Sequence, residues 1–201
     1  MYGKGLAEQT KKRLNERGVT EALFEAITPS MNDYSELVDR LKTAGIDILY
    51  FGGYAPEAGL ILREARDAGS KIQLLAGDGL NTPTFWQITG SAGEGALSTN
   101  APDGRTNPQL ASLMKKYGVA YNDVNSRAYV AIQVWAQAAE RARTLQLDAM
   151  ISTLRHERFD TVIGRIGFDA KGDLIGIEPF VFYVWKAGEN RPTDAVKTTT
   201  Q

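Results

Sequence analysis

The sequence contains no cysteine and a single histidine, His156, and these two shortages remove several kinds of site. Without cysteine the chain has no disulfides, no thiolate metal ligands and no cysteine nucleophile. A single histidine also excludes metal centres that are built on several imidazoles. The groups left for chemistry are carboxylates, hydroxyls, aromatic rings and the backbone.

An excess of charge of one sign is also missing. The 23 lysines and arginines nearly balance the 24 aspartates and glutamates, for a formal net charge of -1, and no basic block stands out. We therefore expect no nucleic-acid partner. No run of 18 apolar residues occurs, and the N-terminal segment lacks the apolar stretch of a secretory signal. The sequence as written thus predicts neither a membrane span nor a signal peptide.

Residues 46–79 predict a β-α-β unit around which the rest of the chain can be arranged. The apolar run 46–51 ends at a glycine pair and fits a strand buried on both faces, and a second such run covers 72–76. Parallel strands finish at the same sheet edge, which is where open α/β folds bind ligands. The unit therefore brings Tyr54 and Asp78 to one candidate site.

The first hundred residues alternate helix and strand. We predict helices over 2–17, 33–45, 56–69 and 82–89, and strands over 23–27, 46–51, 72–76 and 96–99. This alternation is typical of a parallel sheet with helices on both faces. The helix over 2–17 opens the pattern without the strand that ought to precede it.

The amino-acid composition changes at Asn100, where prolines, glycine and turn-forming residues predict a linker. Three amphipathic helices follow with no strand between them for their apolar faces to cover, so we expect that their sheet is not encoded in this sequence. Strands resume over 161–166 and 180–185. The polar residues beyond Gly188 predict a disordered tail.

Several stretches, in this order, resemble the C-terminal part of branched-chain amino acid (Leu/Ile/Val) binding proteins, the type I periplasmic solute-binding proteins of ABC transporters. They are YGKGLAEQTK, DYSELVDRLKTAGIDILYFGGYAPEAGLILREARDAG, LLAGDGLNTP, RAYVAIQVWAQA and VIGRIGFDAKGDLIG. The resemblance runs from Tyr2 to about Trp185. The FGGY loop and the FDAKGD turn are its more specific parts.

The resemblance implies an α/β chain with the type I periplasmic-binding-protein fold, a Rossmann-like parallel sheet with helices on both faces. Against the family pattern we expect a truncated member, which keeps the second lobe without its first strand plus a helical part of the first lobe. The expected divisions are an incomplete second-lobe α/β domain over 1–100, a first-lobe helical segment over 101–165, strands returning to the second lobe over 166–188, and a disordered tail over 189–201.

The resemblance also implies a function. Family members bind a branched-chain or related small amino acid between two lobes that close about a hinge, and they work with a membrane permease in the periplasm, without a cofactor and without catalysis. Matched by motif, Asp78 binds the ligand ammonium, and Tyr54 and Tyr2 lie beside it. Many relatives have glutamate where Asp78 stands. In the family the ligand carboxylate is held by hydroxyls and backbone amides of the N-terminal lobe, and we expect those groups to be missing here.

Other interpretations remain open on the residues alone. Asp78 could hold a metal or act as a general base in an α/β enzyme, or could serve a small-molecule ligand in a sensor domain. An aspartate between two glycines is also a common turn former, and Tyr54 could simply anchor a loop. No nucleophile with a base and no phosphate-binding glycine loop indicates catalysis. A sheet that lacks an interior strand predicts self-association through its open edge.

Overall fold

The structure, a computed structural model, describes residues 2–102, 104, 107–119, 123–178 and 180–194. The chain divides into two compact units, unit 1 with Met1–Asn100 and Val181–Gln201, and unit 2 with Ala101–Phe180. Residues 166–180, which the sequence assigned to the returning strands, lie in unit 2, so the chain passes back at Val181. The assignment of the two units to lobes stays a prediction.

The described elements follow one another as α1 (Tyr2–Glu16), α2 (Ser35–Thr43), β1 (Ile48–Phe51), α3 (Ala55–Asp67), β2 (Gln73–Ala76), α4 (Pro83–Thr89), β3 (Leu97–Asn100), α5 (Pro108–Tyr117), α6 (Asp123–Ala142), α7 (Leu147–His156), β4 (Phe159–Thr161), β5 (Gly164–Phe168), β6 (Leu174–Ile175), β7 (Val181–Lys186) and β8 (Glu189–Pro192). Short 3-10 turns cover Asp78–Leu80 and Gly90–Gly93.

Unit 1 is built on one sheet of strand order β1-β2-β3-β7-β8. The first three strands are parallel, and β7 and β8 join them antiparallel. The predicted parallel β-α-β unit is therefore confirmed, with β1 and β2 in register from Ile48 opposite Gln73 to Phe51 opposite Ala76. Helix α3 buries the predicted face and ends before Gly69, whose positive φ of 77° suits a residue without a side chain.

Unit 2 packs its helices on a small sheet of its own, of order β4-β5-β6. Its core joins the inner face of α6 to α7 and to both longer strands, through Val130, Val134, Ala138, Met150, Phe159 and Ile166. The single strand expected over 161–166 is wrong, because the chain turns between β4 and β5, where the Thr161 hydroxyl donates to the Gly164 carbonyl at 2.7 Å. The expectation that the sequence encodes no sheet for these helices is therefore wrong, because the residues that follow them form one.

The strand expected over 23–27 does not form. These residues make no ladder, and α2 is the first regular element after α1. Apolar β-forming residues become a strand only when a neighbouring strand pairs with them, because their propensity reports packing on a pleated sheet rather than a backbone preference. That neighbour is absent among the described residues.

The polar tail is also partly ordered. Residues expected to be disordered from 189 onward include β8, which pairs with β7 through a turn at Ala187 and Gly188, both at positive φ. A polar edge strand is compatible with a sheet because one side of it faces solvent. Residues 195–201 of the predicted tail lie outside the described part of the chain.

Glycines allow three segments to meet at the carboxyl ends of β1 and β2. A Cβ atom on Gly3 would collide with the Gly52 carbonyl, and one on Gly52 would collide with the Gly3 carbonyl. A Cβ on Gly79 would collide with the Gly53 carbonyl, and one on Gly77 would come within 2.9 Å of the Tyr2 hydroxyl. The backbones of these segments are therefore in contact, and a residue with a side chain at these positions would hold them apart.

The C-terminal half of α1 is anchored separately. Lys11 forms an ion pair with Glu21, and Asn15 donates a hydrogen bond of 2.9 Å to the same carboxylate. The hydrogen bonds from Lys11 and then Asn15 lower the pKa of Glu21 to about 2 from 4.5. The charged carboxylate therefore favours the folded position of α1.

We predict that Gly52→Ala destabilises unit 1 by about 1–3 kcal/mol, because the new methyl group meets backbone that cannot move aside like a flexible side chain. Gly52 does not have a positive φ, so the substitution tests the contact rather than backbone strain. Gly5→Ala is the matched control: its Cβ meets nothing within 4 Å in α1, so it should stabilise by about 0.5–1 kcal/mol. Urea unfolding checks both, and equal effects would contradict the close approach.

We also predict that the contribution of Glu21 to stability disappears in acid. Because its pKa is lower in the folded chain, the contribution is fully present above pH 4.5 and is lost as the pH falls towards 2. The difference in unfolding free energy between wild type and Glu21→Gln should shrink across that range. Glu8→Gln, which breaks only the exposed pair with Lys4 at 3.7 Å, is the control and should change little at any pH.

Candidate functional site

Each of the three predicted site residues stands where a regular element begins. Tyr54 follows β1 and is the N-cap of α3, with φ −110° and ψ 164°. Asp78 opens the short turn after β2. Tyr2 is the first residue of α1. Because β1 and β2 are parallel, Tyr54 and Asp78 leave the sheet at the same edge, as the sequence predicted.

The structure brings all three side chains together. The Tyr2 hydroxyl donates a hydrogen bond of 2.5 Å to Oδ1 of Asp78. The rings of Tyr2 and Tyr54 stack with centroids 5.2 Å apart and planes inclined by 26°. A phenol bonded to a carboxylate at this distance is a charge-assisted pair, shorter and stronger than a bond between neutral groups. Tyr2 therefore connects Tyr54 to Asp78 in one cluster.

The cluster changes the acidity of its central phenol. Burial raises the pKa of the Tyr2 hydroxyl above its ordinary value of 10, and the hydrogen bond to Asp78 and the negative charge there raise it further. The raised pKa extends to more alkaline pH the range in which Tyr2 is a protonated donor. The Tyr2 hydroxyl holds one oxygen of the Asp78 carboxylate in a fixed position.

The cluster faces solvent. Tyr54 is 58% exposed and Tyr2 37% exposed, and Asp78 is exposed as well. Tyrosine rings offer apolar surface to an alkyl group, and an oriented carboxylate accepts hydrogen bonds from a cation. The arrangement can therefore take a small molecule that combines an ammonium group with an aliphatic side chain. With so much exposure, the cluster forms an open surface rather than an enclosed pocket.

The sequence did not predict the contacts that hold this cluster together. The hydrogen bond from Tyr2 to Asp78 and the contacts of Gly3, Gly52 and Gly77 all come from the structure. A signal was nevertheless present, because every site residue stands next to a glycine, in YGKG, FGGY and AGDG. Glycine beside a site residue indicates that backbone approaches closely there.

The other features of the described residues give weaker indications of a binding site. A surface hollow of about 460 Å³ in unit 2 is lined by Asn107, Asp160, Arg165 and their neighbours, and its ion pair between Arg165 and Asp160, at 3.8 Å, is largely exposed. The described acidic residues and histidine form no group of three that could hold a metal ion. Within that same part of the chain, every helix is too short or too polar to cross a membrane.

Comparison with known proteins identifies the family to which the chain belongs. The periplasmic binding protein family matches residues 1–190. Leu/Ile/Val-binding protein homolog 2 of Brucella abortus is 40% identical over 193 residues, which are 94% of this chain and 52% of that protein. Leu/Ile/Val-binding protein homolog 3 of Brucella melitensis is 35% identical, again over 94% of this chain and 52% of the relative. The chain thus spans about half the length of the curated relatives it matches.

Solved structures agree on the fold. A leucine-binding protein LivK from Thermotoga maritima superposes with a TM-score of 0.79 at 27% identity, over 96% of this chain and 56% of that one. A branched-chain amino acid ABC transporter protein from Thermus thermophilus, with bound valine, gives 0.72 at 18% identity over 95% and 56%. The fold is that of type I periplasmic binding proteins, and the chain belongs to the periplasmic binding protein family.

Proposed function

We propose that this chain supplies one wall of an amino-acid clamp, in the substrate-binding component of a periplasmic ABC transporter. The ligand is leucine, isoleucine, valine or a related small amino acid. The observation that supports this is the cluster of Tyr2, Tyr54 and Asp78 at the carboxyl edge of the parallel sheet. Similarity to Leu/Ile/Val-binding protein homologues supports the same assignment.

Each residue has its own role in the proposal. Asp78 accepts hydrogen bonds from the ligand ammonium, a charge-assisted interaction that contributes about 1.5–3 kcal/mol. Tyr54 lays its ring against the aliphatic side chain of the ligand. Tyr2 positions Asp78 through the 2.5 Å hydrogen bond and extends the apolar wall through its stack on Tyr54.

The rest of the clamp comes from the N-terminal lobe. In the family that the sequence resembles, hydroxyls and backbone amides of the N-terminal lobe hold the ligand carboxylate, and the lobes close about a hinge. The closed pair is then presented to a membrane permease. The length of the curated relatives, about twice that of the matched region, provides room for such a lobe.

We predict that the 201-residue chain alone binds leucine, isoleucine and valine weakly. Loss of two or three charge-assisted bonds at about 1.5–3 kcal/mol each should weaken binding at least ~100-fold relative to a two-lobed protein. Isothermal titration calorimetry, with the Brucella abortus relative measured in parallel, checks this. Submicromolar affinity of the isolated chain would show that the missing groups of the N-terminal lobe are unnecessary.

We predict further that the residual binding depends on Asp78. In NMR titrations, leucine at high concentration should shift the signals of Tyr54 and of the turn at Asp78–Leu80. Asp78→Asn should abolish these shifts because the amide carries no charge for the ammonium. Asp67→Asn, at the exposed end of α3, is the matched control and should leave them intact.

A matched ligand completes the experiment. N-acetyl-leucine keeps the aliphatic side chain and the carboxylate but has no ammonium, so it should not produce the leucine shifts. Equal shifts with N-acetyl-leucine, or with leucine in the Asp78→Asn variant, would refute the role of Asp78. Shifts confined to Tyr54 in that variant would show that the apolar wall binds without the carboxylate, which also contradicts the proposal.

A further inference from the structure

Asn190 belongs to the segment whose polar composition predicts a disordered tail, yet its side chain faces a covered side of the sheet. It stands in β8 opposite Trp185 of β7, and cross-strand partners point their side chains to the same face. Trp185 is only 3% exposed, and Asn190 is half-buried beside it. The flanking residues, Glu189 and Arg191, are exposed and bond to each other at 2.8 Å. Asn190 therefore faces the interior of unit 1, whereas its neighbours face solvent.

The Asn190 amide bonds to residues of two other segments. Its Nδ2 donates a hydrogen bond of 3.0 Å to Oδ1 of Asn81, and it lies 3.5 Å from Oγ of Ser98, a fully buried residue of β3. An amide NH2 group carries two hydrogens, so one nitrogen can serve both oxygens. The amide thereby connects β8 to the loop that follows β2, across 109 residues of sequence.

Asn81 ends the turn that carries Asp78. Its backbone N–H donates to the Asp78 carbonyl at 2.9 Å, and Leu80 between them is fully buried. On the other side of Asn81, Thr82 caps α4 by accepting a hydrogen bond of 3.1 Å from the Thr84 N–H. A displacement of Asn81 would carry the Asp78 turn with it, because a hydrogen bond and a short stretch of backbone join the two.

The hairpin of β7 and β8 is itself held firmly. The Trp185 ring lies against Phe85 and Trp86 of α4, with centroids 5.4 and 6.1 Å apart. At the hairpin turn, the Ala187 N–H donates to Oε2 of Glu94 at 2.9 Å. Aromatic packing and this hydrogen bond fix the hairpin to α4 and to the segment that precedes β3. Asn190 therefore has a defined position from which to bond to Asn81.

We propose that Asn190 is a positioning residue of the amino-acid site. It holds Asn81, and through Asn81 it holds the Asp78 turn where the Tyr2 hydroxyl and the ligand ammonium both reach the carboxylate. In this role Asn190 acts through Asn81 and does not touch the ligand. The role rests on the proposed function, in which Asp78 binds the ammonium.

The size of the effect depends on what else holds the turn. Burial of Leu80 and the contact of Gly79 with the Gly53 carbonyl keep the turn near the sheet without Asn190. Asn190 adds a hydrogen bond between neutral groups, which is directional and so fixes the turn more finely than burial does. Loss of this bond should weaken leucine binding about 5-fold rather than abolish it.

The test removes the amide from the full 201-residue chain. Asn190→Leu keeps a branched side chain of similar shape but has no donor for Asn81. Asn190→Ala, made alongside, adds no apolar bulk and should give the same result. Arg191→Leu is the matched control, because it places the same side chain on the exposed face of β8, where Arg191 pairs with Glu189.

Two signals are measured by NMR. The first is the ring Cζ resonance of Tyr2, assigned with Tyr2→Phe, which reports the hydrogen bond from its hydroxyl to Asp78. In Asn190→Leu this resonance should move towards its position in Asp78→Asn, and adding Asn190→Leu to Asp78→Asn should move it no further. The second is the leucine titration, in which the dissociation constant should rise about 5-fold in Asn190→Leu and stay unchanged in Arg191→Leu.

The two signals distinguish this role from the proposed function. If leucine shifts no signal of the wild-type chain, the proposed function fails, and the Tyr2 resonance alone decides whether Asn190 positions Asp78. An unchanged Tyr2 resonance in folded Asn190→Leu and Asn190→Ala would refute the role even if leucine bound more weakly, because lower stability alone does not move a signal of the folded state. Unchanged leucine affinity, or an equal loss in Arg191→Leu, would refute it as well.

Discussion

The close contact of backbone with backbone at the ends of β1 and β2 is the constraint on which the candidate site depends. Gly3 against Gly52, and Gly53 against Gly79, bring the start of α1 and two sheet loops within touching distance. Without this approach the Tyr2 hydroxyl could not reach the Asp78 carboxylate at 2.5 Å. The glycines contribute no functional group, yet they determine where the functional groups lie.

The sheet determines which loops can take part in that contact. Parallel pairing of β1 with β2 places both of their carboxyl ends at one edge, and the buried face of α3 fixes the crossover between them. The Asp78 carboxylate therefore stands two residues beyond the end of β2, in a turn whose position the sheet determines. A site for a small ligand gains from such support, because little ordering is needed when the ligand binds.

The local pattern of apolar residues predicted β1, α3 and β2 well. The apolar runs that became β1 and β2 and the periodic face of α3 are encoded within a few residues of one another, so both the β-α-β unit and the common position of Tyr54 and Asp78 could be found from sequence. The family resemblance added Tyr2, which the structure places in contact with both. Binding by these three residues remains a proposal.

The strand predictions failed where the pairing strand lies elsewhere in the chain or is absent from the described residues. The segment 23–27 has strand composition but no ladder neighbour. The run at 161–166 turns in its middle because β4 pairs back on β5, and polar β8 is ordered by β7. Strand pairing is a property of two segments, so the pattern of one segment cannot fix it.

The most direct test of the account is whether the Tyr2 and Tyr54 rings touch in solution. Selective tyrosine labelling, with assignment by Tyr2→Phe and Tyr54→Phe, allows nuclear Overhauser effects between the two rings to be measured. Centroids 5.2 Å apart predict clear cross-peaks between them in the folded chain. A folded chain with no cross-peak between these rings would contradict the claim that backbone contact at the glycines assembles the site.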